Sequence, residues 1–268
     1  DPRTGKLPAI LYVHGGGFRM LDKDTHWLPG LVFARRGYVV IVPSYRLAPA
    51  DPFPAPLQDV AAAWRWALEN ADRYGIDTTR LAIAGESAGA NLATALTLCT
   101  VDRRPEPWAA EVFDAGVVPR ATLPAMGLLQ VSDPKRFQRR KGLSPWLSDR
   151  VEEVTEAYLP DPEGHDLADP LLVLESERTF ARPLPPFHTC CGTADPLLDD
   201  TRRLAKALEG RGVEHRVSYW PGGIHAFHMF VFQRDARALW REILAFTHRH
   251  VAGVDHPIRP LPWVPPIP

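Results

Sequence analysis

The chain has 268 residues, of which 45% are hydrophobic, and this length and composition suit one large domain with a substantial core. Its 31 lysines and arginines nearly balance its 32 aspartates and glutamates, so the net charge favours neither nucleic acid nor an anionic membrane surface as a partner. The sequence contains no run of about 18 apolar residues and therefore predicts no membrane-spanning helix.

The cysteines and histidines do not form a recognisable metal-binding or disulfide pattern. Only three cysteines are present, and two of them are adjacent at Cys190 and Cys191 in an apolar stretch, which indicates buried thiols. Neither H-E-x-x-H nor C-x-x-C spacing occurs. We therefore expect a protein that uses no metal and no cofactor.

Predicted strands and helices alternate from the amino end of the chain. The apolar run 9–13 predicts a strand, and the β-branched run 38–43 predicts another that is buried on both faces of a parallel sheet. Between them, the cap signal Asp24-Thr25 and the apolar residues that follow predict a helix over 25–36. Apolar residues at helical spacing predict a further helix over 57–74.

A serine between two glycines follows the next predicted strand. The apolar run 81–84 leads into Gly85-Glu86-Ser87-Ala88-Gly89, and a helix is predicted over 88–99. A serine on a strained turn between strand and helix needs small neighbours, because the backbone on both sides approaches it closely. The pattern predicts that Ser87 is a nucleophile, whereas the alternative interpretation is a structural serine in a turn.

The second half of the chain continues the alternation of strands and helices. Residues 126–131 form an apolar run that predicts the next core strand. The remaining predicted elements are helices over 148–159, 197–211 and 235–250, strands over 187–192 and 214–220, and an extended proline-rich tail over 254–268.

A nucleophilic serine needs a base, an acid that orients the base, and hydrogen-bond donors for the oxyanion. The segment His14-Gly15-Gly16-Gly17 leaves the end of a predicted strand, as an oxyanion loop does. Asp195 and then His225 follow Ser87, which gives the order serine, acid, histidine that is known for α/β-hydrolases.

Other residues compete for two of these roles. His228 lies three residues after His225 and is a second candidate base, although it can equally begin a helix or line the pocket. Asp199 and Asp200 are alternatives to Asp195 as the acid, but they fall in the first turn of a predicted helix, where acidic residues complement the helix dipole.

Six motifs together carry a family resemblance. They are His14-Gly15-Gly16-Gly17-Phe18, Tyr45-Arg46-Leu47-Ala48-Pro49, Phe53-Pro54-Ala55-Pro56, Gly85-Glu86-Ser87-Ala88-Gly89, Asp195-Pro196-Leu197 and Pro221-Gly222-Gly223-Ile224-His225-Ala226-Phe227. The chain resembles the hormone-sensitive-lipase-like family of α/β-hydrolase esterases, which includes bacterial acetyl esterases and arylacetamide deacetylases, from about residue 8 to about residue 250. Glu86 stands where the family most often has Asp, and Ala226 where it usually has Gly.

The resemblance implies an α/β-hydrolase fold, with a mostly parallel central sheet flanked by helices, in a single domain over 1–268. Residues 133–186 resemble the family's lid over the active site. In the family, two strands and a helical segment precede the strand at 9–13, so the N-terminal strands appear missing from this chain. Their absence predicts that strand 38–43 is an edge and that the 268 residues alone are aggregation-prone or weakly active.

The family pattern also implies the site residues. It gives Ser87, Asp195 and His225 as the catalytic triad, and it favours His225 over His228 because His225 directly follows the Pro-Gly-Gly-Ile approach. The backbone N–H groups of Gly16, Gly17 and Ala88 are the implied oxyanion hole.

Four apolar residues are candidate walls of the substrate pocket, and for one of them simple packing is the favoured interpretation. They are Phe18, Trp146, Leu197 and Phe227, and the packing alternative concerns Trp146.

The resemblance implies a serine esterase that cleaves short-chain acyl esters of small molecules through an acyl-enzyme. An amidase or formamidase on the same scaffold is the first alternative, and a hydrolase-fold binding protein without catalysis is the second. A homodimer stays open. We expect a cytoplasmic protein, and secretion also stays open because a signal peptide could lie upstream of the first residue.

Overall fold

The computed structural model describes residues 5–137, 145–161, 163 and 166–252, without the side chains of residues 145–148. Within these ranges, six strands form one sheet in the order β2-β1-β3-β4-β5-β6, and every neighbouring pair is parallel. The strands are β1 (Leu7–Val13), β2 (Val39–Ile41), β3 (Ile76–Glu86), β4 (Ala121–Ala125), β5 (Phe187–Gly192) and β6 (His215–Trp220).

Helices follow the strands and cover both faces of the sheet. The helices are α1 (Trp27–Ala34), α2 (Ala55–Glu69), α3 (Ala71–Tyr74), α4 (Ala88–Val101), α5 (Pro107–Asp114), α6 (Pro145–Tyr158), α7 (Pro170–Glu175), α8 (Leu198–Gly210) and α9 (Arg234–Thr247). Short 3₁₀ turns lie at Pro134–Arg136, Asp166–Ala168 and Phe227–Met229, and a π-helical turn lies at His248–Ala252. The alternation confirms the predicted α/β architecture.

The central strands separate two apolar cores, because successive side chains of a strand point to opposite faces. Leu11 of β1 and Ile83 of β3 contribute to the core beneath α2 and α4. Ile10 and Ala84 belong to the opposite core, which Phe33 of α1 helps to fill. A strand that is buried on both faces has to be apolar throughout, which explains the continuous apolar runs at 9–13 and 81–84.

Two predicted helices near the amino end have different bounds in the structure. The helix predicted over 25–36 spans only Trp27–Ala34. The helix predicted over 57–74 is divided in two, because Asn70 has non-helical backbone angles, and the second part ends at Gly75 in the left-handed conformation.

The strand predicted over 38–43 is shorter than predicted, and it is only partly buried. It is the three-residue β2, each residue of which is half-buried, and it lies at an edge of the described sheet. Its edge position follows the prediction. Val39 and Ile41 pack against one core and Val40 against the other, so both faces are partly covered. The edge position leaves each of these residues partly exposed.

The prediction of a core strand over 126–131 is wrong. The strand is β4, which ends at Ala125, and Met126 turns the chain away with a φ of 39°. The apolar run is buried as a loop, since the carboxylates of Asp200 and Asp169 accept its backbone N–H groups. Pro124 inside β4 disguised the true strand, because proline is rare within sheets.

The segment predicted as a lid contributes the helix α6, whose prediction over 148–159 began three residues too late. Tyr158 at its end stacks on Phe18, with ring centroids 3.6 Å apart. The proline-rich tail at 254–268 lies outside the described residues. No helix of the described chain is both long enough and apolar enough to cross a bilayer.

Candidate active site

Ser87 lies at a sharp turn between β3 and α4. Its backbone has φ 55° and ψ −121°. This conformation is energetically unfavourable for a residue that has a Cβ atom. A Cβ atom on Gly89 would overlap the carbonyl oxygens of Val13 and His14, and one on Gly85 would overlap the backbone of Gly89. The two glycines are therefore required by close backbone contacts, as the motif predicts.

The structure brings Ser87, His225 and Asp195 together in one chain of hydrogen bonds. His225 Nε2 lies 2.9 Å from Ser87 Oγ, and His225 Nδ1 lies 2.8 Å from Asp195 Oδ2. Asp195 is fully buried, and its second carboxylate oxygen accepts the N–H of Leu197 at 2.8 Å. With Nδ1–H donating to Asp195, Nε2 is left as the acceptor for the serine hydroxyl.

Two opposing effects act on the pKa of His225. Burial disfavours the charged ring, but the hydrogen bond and the negative charge of Asp195 outweigh it, so the pKa of His225 is raised above its ordinary value. The His225 side chain is still 35% exposed, so its ring is accessible to a small molecule or to water. This arrangement suits a group that accepts a proton and then returns it.

The other histidine and the other acids lie elsewhere. Both ring nitrogens of His228 are buried without a hydrogen-bond partner in the described chain, and burial lowers the pKa of His228 to about 4. Asp200 is fully buried in an ion pair with Arg136. Asp199 is exposed beside Arg202. Asp200 therefore does more than complement the helix dipole, because it fixes the loop that follows β4.

The glycine loop lies against the serine. Gly16 and Gly17 have φ values of 108° and 60°, and their backbone N–H groups form no hydrogen bond within the described residues. A Cβ atom added to Gly15 would lie 3.2 Å from Ser87 Cβ, which shows how closely the loop approaches. Ala88 is the first residue of α4, so its N–H also lacks a helical partner. These N–H groups are free of backbone partners in the described chain, and their role as an oxyanion hole stays a prediction.

A buried carboxylate connects the glycine loop to the serine turn. Glu86 Oε1 accepts the Gly15 N–H at 2.6 Å and lies 2.7 Å from His26 Nε2, while the Tyr12 hydroxyl donates to Oε2. Burial alone would raise the pKa of Glu86, but the hydrogen bond and charge of His26 lower it. Sequence reasoning missed His26, and the only available signal was the unusual Glu86.

The helix α6 packs on the outer side of the glycine loop. A Cβ atom on Gly17 would lie 3.0 Å from Val154 Cγ2, and Arg19 forms an ion pair with Glu153 at 2.5 Å. Together with the stacking of Phe18 on Tyr158, these contacts place α6 over the loop.

The predicted pocket residues lie close to the site, and their direct contact with a substrate stays a prediction. Phe18, Leu197 and Phe227 are at most 4% exposed, and each lies within two positions of Gly17, Asp195 or His225 in the chain. Trp146 falls in α6, and its side chain lies outside the described residues. A surface cavity of about 580 Å³, lined in part by Arg182, lies at the amino ends of β5 and β6, away from Ser87.

The chain matches the α/β-hydrolase fold family over residues 10–229. It is 30% identical over 238 residues to a carboxylesterase of Mycobacterium tuberculosis, with 87% of this chain and 70% of the relative covered. It is 29% identical over 231 residues to an acetyl esterase of Salmonella enteritidis, with 85% and 67% covered. A solved esterase from the bacterial hormone-sensitive lipase family superimposes with a TM-score of 0.74 at 25% identity, with 92% of this chain and 78% of that chain covered.

The fold, the serine turn and these relatives agree with one another. The hydrolase match extends over the glycine loop, Ser87, Asp195 and His225. The chain therefore belongs to the α/β-hydrolase fold family, and it is an esterase of the carboxylesterase type.

Proposed function

We propose that this esterase hydrolyses short-chain acyl esters through Ser87, His225 and Asp195 by way of an acyl-enzyme. The observation that supports the proposal most strongly is the continuous pair of hydrogen bonds from Ser87 Oγ through the His225 ring to Asp195. Nucleophile, base and orienting acid need this connection, because a serine hydroxyl is a weak nucleophile until its proton has an acceptor.

In the first half of the reaction, Ser87 Oγ attacks the carbonyl carbon of the ester while its proton passes to His225 Nε2. The carbonyl oxygen becomes an oxyanion, and the N–H groups of Gly16, Gly17 and Ala88 are the proposed donors to it. The imidazolium of His225, stabilised by Asp195, then gives its proton to the departing alcohol. The C–O bond to the alcohol breaks, and the acyl group stays on Ser87.

In the second half, a water molecule attacks the acyl-enzyme, and His225 accepts the water proton. A second oxyanion forms and collapses, the bond to Ser87 Oγ breaks, and the histidine returns the proton to that oxygen. The carboxylic acid leaves, and the hydroxyl of Ser87 is restored. Every proton that His225 takes is given back within the cycle.

The preference for short acyl chains rests on the surroundings of the glycine loop. Val154 touches Gly17, and the stacked Phe18 and Tyr158 fill the space between the loop and α6. An extended acyl chain that runs towards α6 would have to displace these buried groups. One relative is named an acetyl esterase, which agrees with a preference for short acyl chains.

Hydrolysis of p-nitrophenyl esters from acetate to palmitate tests the proposal. We expect the highest kcat/KM among the shortest chains and no activity above background for Ser87→Ala. A maximum at palmitate would contradict the chain-length preference, and undiminished activity of Ser87→Ala would contradict the mechanism. The matched substrate p-nitroacetanilide separates the alternatives, because faster cleavage of the anilide than of the acetate ester would indicate an amidase.

A further inference from the structure

His26 lies beside Glu86, and both of its ring nitrogens face acceptors. It is 4% exposed, and its Nε2 is 2.7 Å from Glu86 Oε1. Its Nδ1 is 2.9 Å from Thr25 Oγ1 and 3.3 Å from the Asp22 carbonyl oxygen. The Thr25 hydroxyl already donates to that carbonyl at 2.7 Å, so its oxygen is available as an acceptor. Only the protonated imidazole has two N–H donors, and this geometry therefore fits an imidazolium.

The partner of His26 is the residue that immediately precedes the proposed nucleophile. Glu86 Oε1 receives the Gly15 N–H, so one carboxylate oxygen connects the glycine loop to His26. A Cβ atom added to Gly15 would lie 3.0 Å from this oxygen and 3.2 Å from Ser87 Cβ, so the carboxylate is close to the serine. A negative charge this close to the serine would oppose the oxyanion that forms during attack, because Coulomb interactions are strong in a buried site.

We propose that His26 is a positioning residue for ester hydrolysis: as an imidazolium it neutralises Glu86 and holds the glycine loop in place, so turnover requires a charged His26 and a neutral His225. This inference rests on the proposed Ser87 mechanism. It gives the enzyme two histidines with opposite requirements, since His225 has to lose its proton and His26 has to keep it.

The groups around His26 determine how it responds to pH. Burial disfavours its charge, but the hydrogen bond and charge of Glu86 outweigh burial and raise the pKa of His26 above its ordinary value. The His14 ring lies 5.4 Å away, and burial lowers the pKa of His14, so this neighbour is neutral near pH 7. His228 is neutral there as well, with a pKa of about 4. Asp22 and Glu86 supply the negative charges that act on His26.

Loss of the His26 proton is therefore expected at a pH above the ordinary pKa of a histidine. Above the pKa of His26 the carboxylate of Glu86 stays charged and loses its cationic partner. We expect kcat to fall there, whereas a triad alone gives an alkaline plateau. KM should change little, because the repulsion acts on the developing oxyanion more than on the neutral ester.

The test measures kcat and KM for p-nitrophenyl acetate from about pH 5 to about pH 10, corrected for spontaneous hydrolysis. The proteins are wild type, His26→Gln, Glu86→Gln and the double variant. We expect His26→Gln to lower kcat about 10- to 100-fold at neutral pH and to abolish the alkaline decline. In the double variant, Glu86→Gln should restore most of the kcat that His26→Gln loses. The glutamine removes the unpaired negative charge and keeps an acceptor for the Gly15 N–H. His215→Gln, on the edge strand β6, is the matched control and should behave like wild type.

A second measurement does not depend on activity. The His26 ring resonances, assigned by their absence in the double variant, should show a protonated ring at neutral pH that titrates together with the alkaline decline of kcat. A neutral His26 ring at pH 7, or an equal loss of kcat in His26→Gln and the double variant with an unchanged pH profile, would overturn the inference. Failure of the proposed function looks different, because wild type would then lack Ser87-dependent ester hydrolysis altogether.

Discussion

The backbone N–H of Ala226 donates a hydrogen bond to the thioether sulfur of Met126, with a nitrogen to sulfur distance of 3.2 Å. Both residues adopt positive φ values, 39° for Met126 and 57° for Ala226. Met126 directly follows the strand β4, and Ala226 directly follows His225. The contact therefore attaches the histidine loop to the centre of the sheet.

Replacing Met126 by Leu should weaken the site without emptying the core. Leucine has a similar volume but no sulfur, so the Ala226 N–H would lose its acceptor at a cost of about 1–2 kcal/mol. We expect lower unfolding free energy in urea and a several-fold lower kcat, because His225 is held less firmly. Met20→Leu, at an exposed methionine, should change neither quantity. Equal kcat in Met126→Leu and wild type would show that the sulfur contact does not position the histidine.

Replacing Ala226 by Gly should be tolerated or slightly stabilising. The left-handed conformation strains alanine and suits glycine, although glycine also increases the entropy of the unfolded chain. The expected change in unfolding free energy is between about 0 and +1 kcal/mol, with activity retained. Ala236→Gly, inside α9, should instead destabilise by about 1 kcal/mol. A destabilised Ala226→Gly variant would mean that the methyl group packs usefully despite the strain.

The acid limb of the pH profile should depend on Asp195. Because Asp195 raises the pKa of His225, wild-type kcat/KM should fall as the pH drops through that raised pKa. Asp195→Asn removes the negative charge, so the acid limb of the kcat/KM profile should move to lower pH. The maximum value of kcat/KM should decrease. An unshifted limb would show that Asp195 does not control the charge of His225.

Substitutions at the two histidines of this loop should differ greatly. His225→Ala and Ser87→Ala should each lower kcat by about three orders of magnitude or more, because each removes a member of the connected set. His228→Ala should have a mild effect, since its ring forms no hydrogen bond in the described chain. Measured kcat values for the three variants decide the assignment, and a reversal of the two histidines would identify His228 as the base.

Removing Arg136 should destabilise the loop that follows β4. Arg136→Met would leave the fully buried carboxylate of Asp200 without its cation, at a cost of about 3–5 kcal/mol. Urea unfolding measures the change. Arg202→Met is the matched control, because the Arg202–Asp199 pair is exposed and should contribute at most about 1 kcal/mol. Similar losses in both variants would show that burial does not distinguish the two ion pairs.

Local patterns predicted the parts of this site that depend on local geometry. The serine turn could be read from its glycines, because each is required by a close backbone contact within one short segment. The pairing of His26 with Glu86 could not be predicted, since it joins residues brought together only by the fold. The same holds for Arg136 and Asp200, which are 64 positions apart. The apolar run after β4 was misread because a buried loop and a buried strand share the same composition.

The parallel sheet also affects how the enzyme acquires its activity. Parallel neighbours cannot be joined by a tight hairpin. The neighbouring strands β1 and β3, for example, are separated in the chain by β2 and α2. Such non-local pairings fold slowly. The serine turn follows β3, whereas His225 arrives only with the loop beyond β6, at the far side of the sheet. During refolding, helical circular dichroism should therefore recover well before ester hydrolysis, and the enzyme should remain inactive until its last strand has docked.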